Sequence, residues 1–333
     1  MPTDIVEDQI PVQRSRLADK AAGKQRKKLS WRTMSQPQKR EAISGLLFIS
    51  PWIVGFLAFY AVPAAVSLFM SFTRWNIVGD PIWIGLDNYI EIFTGDRNFW
   101  NSVQVTMRYA LLYIPLMTIL SILTALALNA KVKGVGFFRT LFYLPSIAPA
   151  IAASLVFMWI LQPTYGLLNI LLSYAGITGP NWFRNPQYAL WGIVMIAMWR
   201  LGAGAIIYLA GLQNIPAQLY DAADVDGANG WQKFWNVTLP MLTPILFFQI
   251  IVELIGVFQT FTPAYVVSQS QGYAGPMKEL YFYMLYVYNK GWMNLQMGYA
   301  SALSWVLTIF ILLITVMVFR SSPYWVHYEA EKK

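Results

Sequence analysis

The stretch Leu219-Tyr-Asp-Ala-Ala-Asp-Val-Asp-Gly-Ala-Asn-Gly-Trp-Gln-Lys-Phe-Trp-Asn-Val-Thr-Leu-Pro240 decides how this chain is read. It is the longest polar interruption in the second half of a very apolar sequence, and a membrane-length segment lies on each side of it. Pro216 suits a first helical turn, where a missing N–H costs nothing. Leu219, Ala222 and Ala223 then share one helical face, and Asp221, Asp224 and Asp226 give the segment an acidic side. Gly227 is a natural stop, since glycine takes the left-handed conformation that ends helices. A second short helix is expected from Trp231 to Val237, with Pro240 starting the next span. Two readings fit: an ordinary polar connection between spans, or a docking knob of two short helices hinged at Gly227.

Composition sets the setting. The 333 residues are 57% hydrophobic and 12% charged, and the mean hydropathy is +0.46. A soluble domain carries about 25% charged residues, so the chain belongs with integral membrane proteins. It has no cysteine and a single histidine, His327, near its C-terminal end. Disulfides and thiolate metal sites are therefore excluded, as is a histidine-based metal or haem site inside the membrane. The net charge of +8 raises nucleic acid as a partner, but the basic residues cluster at the chain's start and beside spans. That is a topology pattern, and no nucleic-acid partner is expected.

Working outward, residues 1–41 read as a basic, disordered cytoplasmic tail, because so polar a segment cannot bury a core. Ala18 to Gln25 comes within one residue of a phosphate-binding loop but ends in Gln25, and no strand precedes it. Spans of about 20 apolar residues are expected within Ala42–Thr73 and over Tyr109–Ala130, Thr140–Leu161, Tyr188–Leu212, Met241–Val267 and Met297–Phe319. Residues 42–320 thus form an all-α, six-span membrane domain with the polar loop at about 213–240, and residues 321–333 form a second tail. Thr73 to Ser102 reads as an amphipathic surface stretch. Six spans put both termini on one side, and ten of the 24 lysines and arginines precede Glu41. Both ends are therefore expected in the cytoplasm, with the knob on the same side.

Charges inside spans are costly, so they usually face a cavity or a partner. Arg200 and Glu253 sit about halfway along the fourth and fifth spans. Gln249, Glu253, Gly256 and Thr260 recur at helical steps as one polar stripe. Either Glu253 pairs with Arg200, or with a neighbouring subunit, to fix packing, or the stripe lines a pathway for a polyhydroxylated solute. In the second case Trp199 and Gln259 contribute, the indole lying against the apolar face of a sugar ring.

The knob resembles the EAA loop of binding-protein-dependent ABC importer permeases. Asp221-Ala222-Ala223, then Gly227, then Val237, then Leu239-Pro240 keep every spacing of that motif, with Asp221 where the family usually has Glu and Val237 where it usually has Ile. Asp226-Gly227-Ala228, Trp231-Gln232-Lys233-Phe234, Phe138-Arg139 with Leu144-Pro145, Gly166-Leu167-Leu168-Asn169, Gly275-Pro276 and Gly298 to Ser304 are similar to the sugar-permease (maltose-type) branch. The resemblance runs from roughly Ile43 to Phe319. It implies a six-helix type I importer permease in a bacterial or archaeal plasma membrane that is not itself an enzyme. It also implies a second, homologous permease, two ATPase subunits that carry ATP and Mg²⁺, and an external solute-binding protein, with no cofactor on this chain. The ATPase would be met through Asp221, Ala222, Ala223, Asp224, Gly227, Leu239 and Pro240. In maltose-type relatives substrate contacts come from the helices flanking this loop, which implies positions near Trp199, Arg200, Ala203, Glu253 and Val257.

Two other functions were weighed on the residues. A self-sufficient secondary carrier predicts two internally similar halves, and the three-span halves share neither the knob nor the charged stripe. An intramembrane enzyme needs a metal cluster or nucleophile motif, and the sequence has none.

Overall fold

A computed structural model of the chain describes residues 35–130, 132–271 and 278–327. Residues 1–34 of the expected tail, Gly275–Pro276 and residues 328–333 lie outside the described residues. The chain divides into two units, Met1–Val66 and Ser67–Lys333.

In chain order the helices are α1 (Gln36–Phe56), α2 (Val62–Ser71), α3 (Asp87–Thr94), α4 (Arg97–Leu128), α5 (Val135–Ile147), α6 (Ala150–Ile160), α7 (Leu167–Tyr174), α8 (Pro186–Met198), α9 (Leu201–Gln213), α10 (Ala217–Val225), α11 (Gly230–Lys233), α12 (Leu239–Phe258), α13 (Thr262–Gln271), α14 (Tyr283–Tyr288) and α15 (Met297–Ser321). A two-residue ribbon, β1 (Thr73–Arg74) with β2 (Ile82–Trp83), is antiparallel. Among the described residues, four segments are long and apolar enough to cross a membrane unbroken: Gln36–Ser71, Arg97–Leu128, Gly230–Gln269 and Met297–Tyr324. The pairs α5–α6 and α8–α9 qualify together but bend by 99° and 55°. With each bent pair taken as one span, the six-span all-α architecture expected from the sequence is present.

Its details depart from expectation for local reasons. The first helix begins at Gln36, inside the segment read as tail, because Ser35 and Gln38 form a reciprocal capping box and a proline follows at the helix start. The second begins at Arg97, well before Tyr109, because the Asp96 carboxylate accepts the Asn98 and Phe99 N–H groups. The third is broken at Ala148, which Pro149 holds extended (ψ 139°). At the C-terminal end, the Trp325 ring packs on Phe247 and the His327 N–H donates to Thr243 Oγ1 (2.9 Å), so this stretch docks on α12.

Within the second unit α4 is the central helix: α9, α12 and α14 all pack along it. Close approaches at glycine set the positions. A Cβ on Gly202 would lie 1.8 Å from the Phe142 carbonyl oxygen, so α9 crosses directly over the α5 backbone. Gly298 similarly admits the Thr73 carbonyl at the start of α15. At the N-terminal end of α4, Asp96 also accepts hydrogen bonds from the Tyr286 and Tyr299 hydroxyls, and the Lys290 ammonium lies 4.6 Å from the Tyr299 ring centre. Burial works against the charged form of Asp96. These hydroxyls, the Phe99 N–H and the Lys290 charge outweigh it and hold the carboxyl below the usual carboxylate range.

Candidate substrate path and coupling segment

The polar segment folds as a compact projection. Pro216 caps α10, and Gly227 (φ +73°) turns the chain out of it. The Gly227 and Ala228 N–H groups bond back to the Asp224 and Ala223 carbonyls, closing the helix end. Asn229 and Gln232 then form a capping box that opens α11. The Lys233 ammonium reaches back to Asp224, and the Tyr220 hydroxyl lies 3.0 Å from that of Thr238, which ties the two arms together. Neither α10 nor α11 has a buried residue. Val225, Trp231 and Trp235 expose apolar surface at the tip, with Asp221 also exposed.

The expected second short helix is not a separate unit. From Gly230 the chain runs through α11 and a widened π turn (Phe234–Thr238) directly into α12, so the span begins some ten residues before Pro240. The wider turn lets the helix pass Leu239 and Pro240, whose nitrogen has no hydrogen to donate to the preceding turn. Val237, Leu239 and Pro240 of the motif therefore belong to the arm that joins projection to span.

A cavity of ≈ 500 Å³ opens where α4, α6, α9 and α12 meet. It brings together Arg200, Ala203, Gln249, Glu253, Val257, Gln259 and Thr260 of the candidates above. Gly256 completes the stripe, and all four of its members line the wall. Two helix breaks face this space. At Trp199–Arg200 and at Gln259–Thr260 the backbone closes by tighter bonds to the residue three back. Arg200, Gln259, Thr260 and Phe261, around these breaks, all border the cavity. Irregular backbone at membrane depth is tolerated where it lines a polar cavity, so the breaks and the cavity are one feature.

Trp199 ends α8, is exposed, and meets Phe157 of α6 edge-on (5.7 Å, 77°); it is not among the residues that border the cavity, although Ala197 and Arg200 on either side of it are. Arg200 and Glu253 share the cavity but form no ion pair with each other among the described residues. Glu253 Oε2 is buried with no protein hydrogen bond, beside Thr118 and Tyr208, whose hydroxyls are likewise unpaired. Gln249 is buried at 4% exposure and presents its amide to the same wall. The sequence reading missed the α4 wall: Tyr109, Tyr113, Met117 and Ser121, four residues apart, also line the cavity. That spacing was visible, but with no charge in it the stripe read as ordinary span.

A polar cavity between bent and broken spans, together with an exposed projection between two of them, defines a membrane transport subunit. Residues 117–324 match the family described as binding-protein-dependent transport system inner membrane component, and the chain belongs to that family. It is a permease subunit of a binding-protein-dependent ABC importer, a transport component rather than an enzyme. It is 43% identical to a probable ABC transporter permease protein, YesP, of Bacillus subtilis (strain 168), over 90% of this chain and 96% of that one. It is 32% identical to the arabinooligosaccharides transport system permease protein AraP of the same strain, over 89% and 93%. A solved bacterial ABC transporter involved in the import of the acidic polysaccharide alginate shares the fold, with a TM-score of 0.74 at 23% identity, over 86% of this chain and 96% of that chain.

Proposed function

We propose that this chain forms one half of the translocation path of an ATP-driven importer for a sugar or a related polyhydroxylated solute, and that the projection at residues 216–240 couples it to an ATPase. The observation that carries this reading is a continuity. The two helices that leave the projection, α9 and α12, are the same two that carry Arg200, Ala203, Gln249 and Glu253 into the cavity wall. A displacement of the projection is thus delivered directly to the side chains that meet the solute. Amides, a carboxylate and a guanidinium satisfy hydroxyl groups in a way that an apolar path does not.

The working assembly consists of this chain, a second homologous permease, two ATPase subunits that bind ATP and Mg²⁺, and an external solute-binding protein. Both termini and the projection lie on the cytoplasmic side of a bacterial or archaeal plasma membrane. Sugar as cargo is consistent with the names of relatives such as the arabinooligosaccharides permease. The test is reconstitution in liposomes of the purified four-subunit core with its binding protein. ATP-dependent uptake that needs the binding protein, and that fails when Asp221, Ala222 and Ala223 are exchanged together for bulky basic residues, is the expected result. Uptake driven by an ion gradient without ATP overturns the reading.

A further inference from the structure

A second cavity, of ≈ 400 Å³, lies between the first turns of α4 and the middle of α15, and it shares no lining residue with the polar one. Every polar side chain in its wall is already engaged. The Trp100 indole N–H donates to the Phe93 carbonyl (3.3 Å). The Thr106 hydroxyl donates to the Ser102 carbonyl (2.8 Å) and accepts the Tyr283 N–H (2.9 Å). The Tyr283 hydroxyl donates to the Leu303 carbonyl (2.8 Å), and that of Tyr89 lies 2.7 Å from Ser71 Oγ. What remains is ring and hydrocarbon surface, which holds neither water nor a polar solute. Phe93, Trp100, Ile309 and Leu313 border the cavity and are exposed, so it opens as a groove along a helix apolar enough to cross the membrane.

We infer that this groove holds one acyl chain of an anionic phospholipid, with the headgroup phosphate on Arg97. Its shape selects a chain. The α4 side of the groove extends over two turns, from Phe99 to Thr106. A volume of ≈ 400 Å³ along that length is too narrow for a helix about 10 Å across, but it admits a single hydrocarbon chain. Charge selects the headgroup. Arg97 opens α4 one turn before Trp100; it is exposed and forms no ion pair among the described residues. The other cations around it are occupied: Lys278 with Asn98, Arg108 with Glu279 (3.5 Å) and Lys290 over the Tyr299 ring. A guanidinium matches the geometry of a phosphate by paired hydrogen bonds. Trp100 stands between that cation and the apolar groove, the place an indole takes at the boundary of a bilayer.

The experiment uses the four-subunit core in liposomes, with phosphatidylglycerol carrying a photoreactive diazirine on one acyl chain as the probe. Labelled peptides are mapped by mass spectrometry. Labelling is expected within residues 99–106 and 306–313. Unlabelled phosphatidylglycerol should compete about fivefold better than phosphatidylcholine of the same chains, the worth of one basic residue at a membrane surface. Arg97→Gln should remove that preference while the groove is still labelled. Ile309→Trp, which places an indole at the rim, should cut labelling of the groove several-fold and leave labelling elsewhere on the chain unchanged. Should Ile309→Trp assemble poorly, Arg97→Gln carries the test alone, because it alters an exposed side chain and removes no ion pair. Absence of label in the groove, or equal competition by the two lipids in the wild type, overturns the inference. So does chemical cross-linking that joins residues 306–313 to the second permease with no lipid label there, since the groove would then be a subunit interface. None of these outcomes bears on the solute path.

Discussion

The projection and the cavity are built on opposite principles. Every contact that shapes the projection is local: Asn229 with Gln232, Lys233 with Asp224, Tyr220 with Thr238, and the turn at Gly227. The cavity draws on α4, α6, α9 and α12, and its shape depends on close approaches between segments far apart in the chain, such as Gly202 against Phe142. A local device can be specified by spacing within some twenty residues and can keep its shape as it moves. An assembled one is set by packing, and it can open or close when one helix shifts. On the proposed function that division is useful: the part proposed to receive force is rigid, and the part proposed to hold solute is deformable.

The largest effect should come from attacking the assembled part at a point where nothing can yield. At Gly202 a methyl group would overlap a backbone carbonyl, not the end of a flexible side chain. Gly202→Ala is expected to cost about 2–3 kcal/mol, seen as a lower melting temperature and a poor yield of the assembled complex. Gly230, in the projection, has nothing within 4 Å of the corresponding position. Gly230→Ala should melt like the wild type. Equal melting of the two variants would show that the cavity is no more sensitive to packing than the projection.

Gly227 reverses the contrast. No atom crowds it either, so its requirement is conformational only: φ is +73°, where a branched residue is strongly disfavoured. Gly227→Val should leave the chain folded and inserted, since only about 1–3 kcal/mol of local strain is introduced and no core contact is lost. It should weaken ATPase capture or separate hydrolysis from uptake. Gly227→Asn, which tolerates this region, should restore coupling. Co-purification of the ATPase, with hydrolysis and uptake assayed on one preparation, gives the answer. Normal coupling in Gly227→Val would mean that the projection does not transmit.

The same contrast explains what was legible in the sequence. Asp221 to Gly227 and the helix that ends there could be read from residue spacing, because the turn needs nothing beyond its own segment. The Gln249–Glu253–Gly256–Thr260 stripe was legible because helical steps alone place it on one face. Trp199 is absent from the cavity lining, and no proline announces the helix break at Arg200 beside it. The α4 lining from Tyr109 to Ser121 was missed because which helices meet it is set by packing, and a single sequence does not state that. The bend at Ala148 followed directly from Pro149, and the early start of α4 from Asp96, so both were available to a stricter reading of caps and prolines.

Asp96 extends the comparison to the N-terminal end of α4, where a polar cluster joins residues far apart in the chain. Asp96→Asn keeps a side chain able to cap α4 but removes the charge that Tyr286, Tyr299 and Lys290 serve. The folded carboxyl titrates below its unfolded value, so its contribution is fully present above about pH 4 and is lost as pH falls through the depressed folded value. Asp96 is half-buried, and after a discount for solvent screening its charge is worth about 1 kcal/mol. The melting temperature of Asp96→Asn should therefore lie below that of the wild type at pH 7, and the gap should narrow towards pH 3. A gap independent of pH would assign the loss to shape and not to charge.

The smallest expected effect tests whether the projection is as self-contained as its contacts suggest. Asn229 accepts one N–H of α11, that of Gln232, on its side-chain oxygen, and its own N–H donates to the Gln232 Oε1. Loss of such a cap costs about 1 kcal/mol. That cost falls on a four-residue helix with no buried side chain, while α12 beyond it is held by packing on α4. Asn229→Ala should consequently leave the global melting temperature nearly unchanged. Amide exchange should speed up several-fold at residues 230–233 and stay at the wild-type rate along α12, because the π turn at Phe234–Thr238 absorbs the change. If protection fell equally along α12, the projection and the span would melt as one cooperative unit. The cavity would then feel every disturbance of the projection, and the division between a rigid receiver and a deformable path would have to be abandoned.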